Sequence, residues 1–466
     1  MEVEEFALRV TENLPFNPNG QQIGLIAALA RFCSPAAPDN MLFLLNGYAG
    51  TGKTSVMAAL VKTLRQCGVR TVLLAPTGRA AKVFSGFAGM PAYTIHRWIY
   101  RHGSAANPVS TLATNQHSDT IFVVDEASMI GDEPDSGYNS LLSDLMEYVY
   151  SGDNCRLILM GDTAQLPPVG SPFSPAMDLD TLRGFGLRIT RVTLTQTVRQ
   201  ASDSGILYNA TRLRKAMRLE QLPEPTLKTS GFSDIEAVDP QELQDYLETA
   251  YCAEGGIDNT LVLTRSNRRA LAFNMQIRRQ VLEYEEMITV GERLLIARNN
   301  YLWSADVPGL SFIANGDIAE IVRIYGMEDV GQFQFADIRL RFPDKDGLEI
   351  DAKINLTCLL SETATMTQGQ MGELFGLLAA NAGVNSNSAA QALMRNNPYF
   401  NALQVKYAYA VTCHKAQGGQ WKRVFVDLGY IAPEALTSID LYRWLYTSLT
   451  RATEEVYLIN PSINIV

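Results

Sequence analysis

Residues 47–54 read G-Y-A-G-T-G-K-T, a spacing of glycines, lysine and hydroxyl suited to holding a triphosphate. Glycines let successive backbone N–H groups turn inward around phosphate oxygens, a lysine adds a point charge, and a threonine hydroxyl completes a Mg²⁺ shell. Gly47, Ala49, Gly50, Thr51 and Gly52 supply the backbone of such a cradle, Lys53 its charge, and Thr54 the candidate metal ligand. In V-V-D-E-A-S (123–128), Asp125 is placed to hold the metal, directly or through water, and Glu126 to orient and deprotonate an attacking water. In M-G-D-T-A-Q-L-P-P-V (160–169), Asp162 and Gln165 reach the same edge, where Gln165 is suited to sensing a γ-phosphate. The competing reading of this segment is a polar loop turned by Pro167 and Pro168.

Such groups act together only if strands deliver them to one place. The apolar runs MLFLL (41–45), TVLLA (71–75), TIFVVD (120–125), RLILMGD (156–162) and RVTL (191–194) alternate with helical stretches, including an amphipathic one over 56–64. This pattern predicts a parallel sheet covered on both faces, with chemistry at the carboxyl ends of its strands. A polar, proline-punctuated stretch at 223–240 marks a boundary, and TLVLT (260–264) opens a second α/β unit. Between 287 and 355 short alternating strands with a turn at Asn315-Gly316 predict a small β-barrel. Residues 366–394 read as helix plus loop, after which α/β patterning resumes with RVFVDL (423–428) and EVYLIN (455–460).

At 466 residues and 47% apolar content, the chain has material for about three domains. No apolar run is long enough to cross a bilayer and the N-terminus is acidic, so the expectation is a cytoplasmic protein with no membrane partner. Six scattered cysteines without a C-x-x-C pair, and only four histidines, argue against a zinc cluster and for reduced thiols. The net charge of −10 runs against a nucleic-acid partner, although charge is unevenly spread. Residues 265–279, RSNRRALAFNMQIRR, carry five arginines and no acid, which fits either a solvated helix face or a surface turned to nucleotide or nucleic acid. Arg199 and Arg451, far from the phosphate loop, are candidates for steadying phosphoryl charge, but spacing alone identifies neither.

Read in order, G-Y-A-G-T-G-K-T, A-P-T-G-R-A-A (75–81), T-I-H-R-W (94–98), V-V-D-E-A-S, G-D-T-A-Q-L-P-P-V, T-C-H-K-A-Q-G (412–418) and Y-T-S-L-T-R-A (446–452) resemble the motif set of superfamily 1 helicases. The resemblance is to the RecD/Dda-like branch, which moves 5′-to-3′ along DNA, and it spans nearly the whole chain. It implies an α/β fold of two RecA-like motor domains with parallel sheets, the second carrying an SH3-like β-barrel insertion. The implied limits are 1–205 for the first motor domain, with a small insertion near 99–119, 206–286 and 405–466 for the second, and 287–404 for the barrel plus helical insertion.

The resemblance also assigns roles. Lys53, Thr54, Asp125, Glu126 and Gln165 fall on ATP and Mg²⁺ positions, and Arg199 and Arg451 on γ-phosphate arginines. Gln22 matches a glutamine that reads the adenine edge, with Gln21 a competitor. Pro76, Thr77, Arg79, Thr94 and His96 match positions that grip single-stranded DNA on the first domain, and Thr412, His414, Lys415 and Gln417 those on the second. Small hydroxyls and backbone amides hold phosphates without demanding a sequence, although Thr77 and Thr94 taken singly read as turn or cap residues. Trp98 suits either base stacking or the core. The chain departs from the family at Gln420, assigned to the nucleotide site, where relatives often carry an acid, and at 99–120, short and poor in strand formers where relatives have a strand-separating pin. The implied activity is ATP-dependent unwinding, with single-stranded DNA and its junctions with duplex as partners. An RNA helicase, an ATPase switch unconnected with nucleic acid and a DNA-binding scaffold are the alternatives.

Overall fold

The computed structural model describes residues 2–101, 111–132, 139–197, 204–305, 307, 310 and 312–466. Arg199, one of the two expected γ-phosphate arginines, lies outside the described residues, as does much of the region expected to hold a pin. What is described of the latter is a two-residue antiparallel pairing of Tyr100–Arg101 with Thr111–Leu112.

Six parallel strands form the first sheet, in the order Ala92–Thr94, Arg70–Ala75, Thr120–Val124, Arg156–Gly161, Met41–Gly47, Arg188–Leu194. All five apolar runs read from the sequence are in it; the three-residue edge strand at 92–94 is too short to show a pattern. Leu42 and Leu44 face one helical layer, which includes Leu141–Tyr150, and Phe43 and Leu45 face the other, which includes Lys53–Gln66 and Gly20–Cys33. A strand buried on both faces is therefore apolar throughout, each such side chain contributing about 1.5–3 kcal/mol. The register sets Asn46 beside Gly161 and Val124 beside both Leu159 and Leu74. The loops that begin at 48, 125 and 162 consequently leave from one edge.

The second parallel sheet runs Ile235–Ala237, Ala452–Ile459, Trp421–Asp427, Thr260–Thr264, Ala410–Thr412. Between its strands the chain leaves to build a closed barrel of Arg293–Ile296, Ile318–Val330, Phe333–Phe342, Leu348–Asn355 and Leu403–Tyr407. Leu403–Tyr407 closes it by pairing antiparallel with the first barrel strand and parallel with Leu348–Asn355. Two helices inserted before that closing strand, Gln368–Asn381 and Asn387–Asn396, pack Leu374, Leu378 and Leu393 against Phe333 and Phe335 of the long hairpin. Among the described residues, no helix is long and apolar enough to cross a membrane.

The arginine-rich segment 265–279 is mostly spent on structure. Arg269 makes a bidentate pair with Asp427 at 2.8 Å, Arg268 lies 3.6 Å from Glu362, and Arg278 is buried against Glu292. Asp427 and Glu292 are buried, so the charges of Arg269 and Arg278 are spent on the fold, whereas Arg268 and Glu362 are both exposed and belong to a solvated face.

Candidate functional site

The phosphate loop leaves the Met41–Gly47 strand and enters the Lys53–Gln66 helix through Gly50 and Gly52, with φ of 73° and 77°. Glycine adopts that left-handed backbone without a Cβ penalty. Gly47 is required by contact, since a Cβ there would lie 3.0 Å from the Lys53 Cβ. The Thr51 N–H and hydroxyl both donate to the Tyr48 carbonyl, at 3.2 and 2.7 Å. Thr54 follows in the first helical turn.

Gln22 reaches this loop through one end of its amide and the Asn19 N–H through the other. Its Oε1 accepts the Asn19 N–H at 2.9 Å, closing a capping box at the start of Gly20–Cys33, and its Nε2 donates to the Thr51 carbonyl at 3.0 Å. Only 1% exposed, it braces the phosphate loop. The competing Gln21 is bonded to Thr195 and the Gln196 N–H.

Asp125 and Glu126 stand at the tip of the neighbouring strand. The buried Asp125 carboxylate accepts the Glu126 N–H at 2.7 Å, and desolvation pushes its pKa up to about 6 despite the opposing charge of Lys53. Glu126 has φ of 52°, a strained conformation for a non-glycine residue of the kind that collects at functional sites. Its Oε2 and the Oε1 of Gln165 are buried with no hydrogen-bond partner among the described residues. Two unmet acceptors beside a phosphate loop are groups waiting for a ligand or an ordered water.

Across this edge lies the second parallel-sheet unit. Tyr48 packs into its core, and a Cβ on Gly50 would meet the Leu207 side chain at 2.9 Å. Tyr446, on the Ile439–Leu449 helix, accepts the Ala49 N–H at 2.8 Å and donates to Asp162 at 2.6 Å. Burial, then the Asp162 charge, raises its pKa well above the ordinary tyrosine value, so the hydroxyl stays protonated. Thr447 accepts the Leu166 N–H at 2.9 Å, and Gln417 donates to the Leu166 carbonyl at 2.6 Å. Gln165 therefore hangs between ends held from the other unit. The sequence motif contained Tyr446 and Thr447, but no feature of composition or spacing separated them from core residues.

Arg451 is not extended toward the phosphate loop. Its guanidinium donates to the Thr447 and Gly419 carbonyls, at 3.2 and 3.1 Å, and to the Thr450 hydroxyl at 3.4 Å, all within its own unit. Carbonyls of its own unit occupy the guanidinium in this arrangement. Gln420 is exposed.

The expected DNA-contacting residues divide. Thr77, Arg79, Lys415 and Gln417 line one pocket between the two sheet units and the barrel. Thr412 and Lys415 line a second, against the barrel. Thr77 and Thr94 cap the Gly78–Ala88 and Ile95–Ile99 helices, accepting from Ala80 and Arg97 N–H groups. The cap reading is thus realised, and it leaves each hydroxyl at a helix N-terminus. Pro76 precedes the first of these caps. Arg79 is stacked 3.9 Å over the Trp421 ring, and the ring of His96 lies 5.8 Å from Phe312 of the barrel loop. Lys415 donates to Asn315 at 3.1 Å, and burial, with Lys406 nearby, brings its pKa down to about 8. Burial also lowers the pKa of His414. Trp98 packs on the first unit's core, stacked with His117 and tilted against Tyr93.

A phosphate loop, paired carboxylates and the buried Gln165 at one sheet edge, faced by a second parallel sheet, define a phosphate-loop nucleotide-binding protein of two RecA-like units. Two family models match it: the AAA domain over residues 27–224 and the UvrD-like helicase C-terminal domain over 407–459. In these matches the chain resembles the superfamily 1 helicases of the RecD/Dda-like branch. It is 31% identical over 169 residues to the ATP-dependent RecD2 DNA helicase of Deinococcus radiodurans, covering 36% of this chain and 21% of that protein. With the conjugal transfer protein TraA of Rhizobium radiobacter it shares 23% identity, over 88% of this chain and 30% of the relative. The ATP-dependent DNA helicase dda of Enterobacteria phage T4 is 26% identical, over 54% of this chain and 55% of the relative. The chain thus spans less than a third of the length of the first two of these relatives. Among solved structures, the Pif1 helicase from Bacteroides in complex with ADP-AlF3 and ssDNA aligns over 96% of this chain and 93% of its own, at 15% identity and a TM-score of 0.48.

Proposed function

We propose that the protein is an ATP-dependent DNA helicase that translocates 5′-to-3′ on single-stranded DNA and unwinds duplex from single-strand/duplex junctions in the cytoplasm. The observation that carries this is the double seam between the units. Tyr446, Thr447 and Gln417 join the second unit to the phosphate loop and the Gln165 segment, while Thr77, Arg79, Lys415 and Gln417 converge in one adjoining cavity. A nucleotide-driven change in one seam is then transmitted to the other. We assign the motor units to 1–205 and to 206–286 with 408–466, and the barrel unit to 287–407, which moves the expected limit at 404/405 because Leu403–Tyr407 closes the barrel.

The residues fit Mg-ATP. Thr54 and the buried Asp125 are the pair that would hold Mg²⁺, and the unmet Glu126 and Gln165 oxygens are acceptors that an attacking water would satisfy. Bound there, the metal would neutralise charge on the phosphate oxygens. Lys53 places its ammonium at the helix start, where backbone N–H groups already favour anions. Glu126 orients the attacking water and accepts its proton, and Gln165 senses the γ-phosphate through its amide nitrogen. Directed movement requires that open and closed arrangements of the units differ in affinity for ATP, because a ligand that binds both equally shifts nothing.

Two measurements test this reading. ATP hydrolysis should rise when single-stranded DNA is added, and an unchanged rate would favour a switch unconnected with nucleic acid. Duplexes bearing a 5′ single-stranded tail should be unwound, and unwinding confined to 3′-tailed duplexes would overturn the polarity.

A further inference from the structure

We propose that Tyr446 is a positioning residue of the nucleotide site, lent by the second unit, which holds the phosphate loop in its binding shape through the Ala49 N–H. The inference rests on reading residues 47–54 as the nucleotide cradle, but not on DNA being the track.

The geometry makes one directed chain. The Ala49 N–H donates to the Tyr446 oxygen at 2.8 Å, and the Tyr446 hydroxyl donates to Asp162 Oδ2 at 2.6 Å. The other carboxylate oxygen, Oδ1, accepts the Ala164 N–H at 2.9 Å. The carboxylate polarises the hydroxyl and strengthens it as an acceptor for the loop amide. The hydroxyl and the carboxylate are dry, since Tyr446 and Asp162 are each 1% exposed, and the Ala49 amide is half-buried. An amide that loses its partner there is costly, so the loop is tied to this hydroxyl. Tyr48 and Gly50 flank Ala49 and pack on the same unit, which fixes the tip of the loop from both sides. Gln22 braces the far end through the Thr51 carbonyl. The loop is therefore suspended between a brace from its own unit and one from the other. Separating the units withdraws the second brace, so nucleotide affinity becomes a function of how closely the units approach.

The test is equilibrium binding of a fluorescent ADP analogue to the full chain without DNA. Tyr446→Phe keeps the ring and removes only the hydroxyl; it should weaken binding roughly tenfold, the scale of one buried hydrogen bond and its orphaned partner. Asp162→Asn keeps an acceptor for the hydroxyl but removes the charge that polarises it, and should weaken binding by a smaller factor, which keeps the idea testable if the first variant does not fold. Unaltered affinity in Tyr446→Phe accompanied only by a lower melting temperature would overturn the inference, because it would show a purely structural role. Unaltered affinity in Asp162→Asn would overturn it as well. Failure of the unsubstituted protein to bind the analogue would instead remove the nucleotide reading itself.

Discussion

Gln417 donates through Nε2 to the carbonyl of Leu166 at 2.6 Å, so a residue expected to hold DNA is bonded to the segment that carries Gln165, the proposed phosphate sensor. The bond is buried, and Leu166 is gripped on its other side by Thr447. Sequence places Gln417 at the end of T-C-H-K-A-Q-G, beside residues lining the cavity proposed for DNA. It thus stands between two sites.

Gln417→Ala should lower the stimulation of ATP hydrolysis by single-stranded DNA more than it lowers DNA affinity. Loss of the donor leaves a buried carbonyl unmet, at about 1–3 kcal/mol, and frees the Gln165 segment. Fluorescence anisotropy on a labelled oligonucleotide, set beside steady-state ATPase, separates the two. Equal losses in both would make Gln417 an ordinary DNA contact.

Glu126→Gln keeps the shape of the side chain but removes the base. Turnover should fall about 10²–10⁴-fold, the usual scale for a positioned proton acceptor, while nucleotide and single-strand binding persist. DNA-stimulated hydrolysis at the unsubstituted rate would eliminate Glu126 as the base.

Much of this site was readable because its signals are local. The run at 41–45, the glycines and Lys53 all fall within fourteen residues, and a strand, a left-handed turn and a helix start follow from them directly. Thr77 and Thr94 read as caps for the same reason. What escaped depends on the meeting of distant segments. Arg451 turns to the Thr447 and Gly419 carbonyls because the chain folds those atoms around it, which helical spacing cannot express. Tyr446 and Ala49 are some four hundred positions apart and meet only across the two units. The barrel's closing strand, Leu403–Tyr407, runs almost directly into the sheet strand Ala410–Thr412, so one apolar stretch serves two structures and looks like a single element.

The raised pKa of Asp125 gives a pH signature. In the unfolded chain this carboxyl titrates near 3.8, and in the folded protein near 6 because burial disfavours its charge. Between those values the folded state holds the proton that the unfolded state has released, so stability falls as pH rises from about 4 to 6 and is lowest, for this group, above 6. The penalty is on the order of 3 kcal/mol at neutral pH. Asp125→Asn should therefore raise the melting temperature of the nucleotide-free protein at pH 7.5, change it little at pH 4, and abolish Mg-dependent hydrolysis. A melting temperature lowered equally at both values would mean that the ionised carboxylate stabilises the fold.

The second stability test concerns the joint between the second sheet unit and the barrel, where the buried Arg278 pairs with the buried Glu292 and is stacked 4.3 Å over Tyr407. Arg278 Nη2 also donates to the Glu286 carbonyl at 2.6 Å, and Glu292 accepts the Thr289 N–H at 3.1 Å. Breaking such a pair by removing one partner leaves an uncompensated charge in the interior, whereas removing both does not. Glu292→Gln should cost about 3–5 kcal/mol in urea unfolding followed by circular dichroism. Adding Arg278→Met to it should recover much of that loss, leaving a smaller deficit from the Glu286 carbonyl, now without its donor. If the double variant is as unstable as the single one, the strength of the joint lies in the hydrogen bonds Arg278 makes to backbone carbonyls and not in the ion pair.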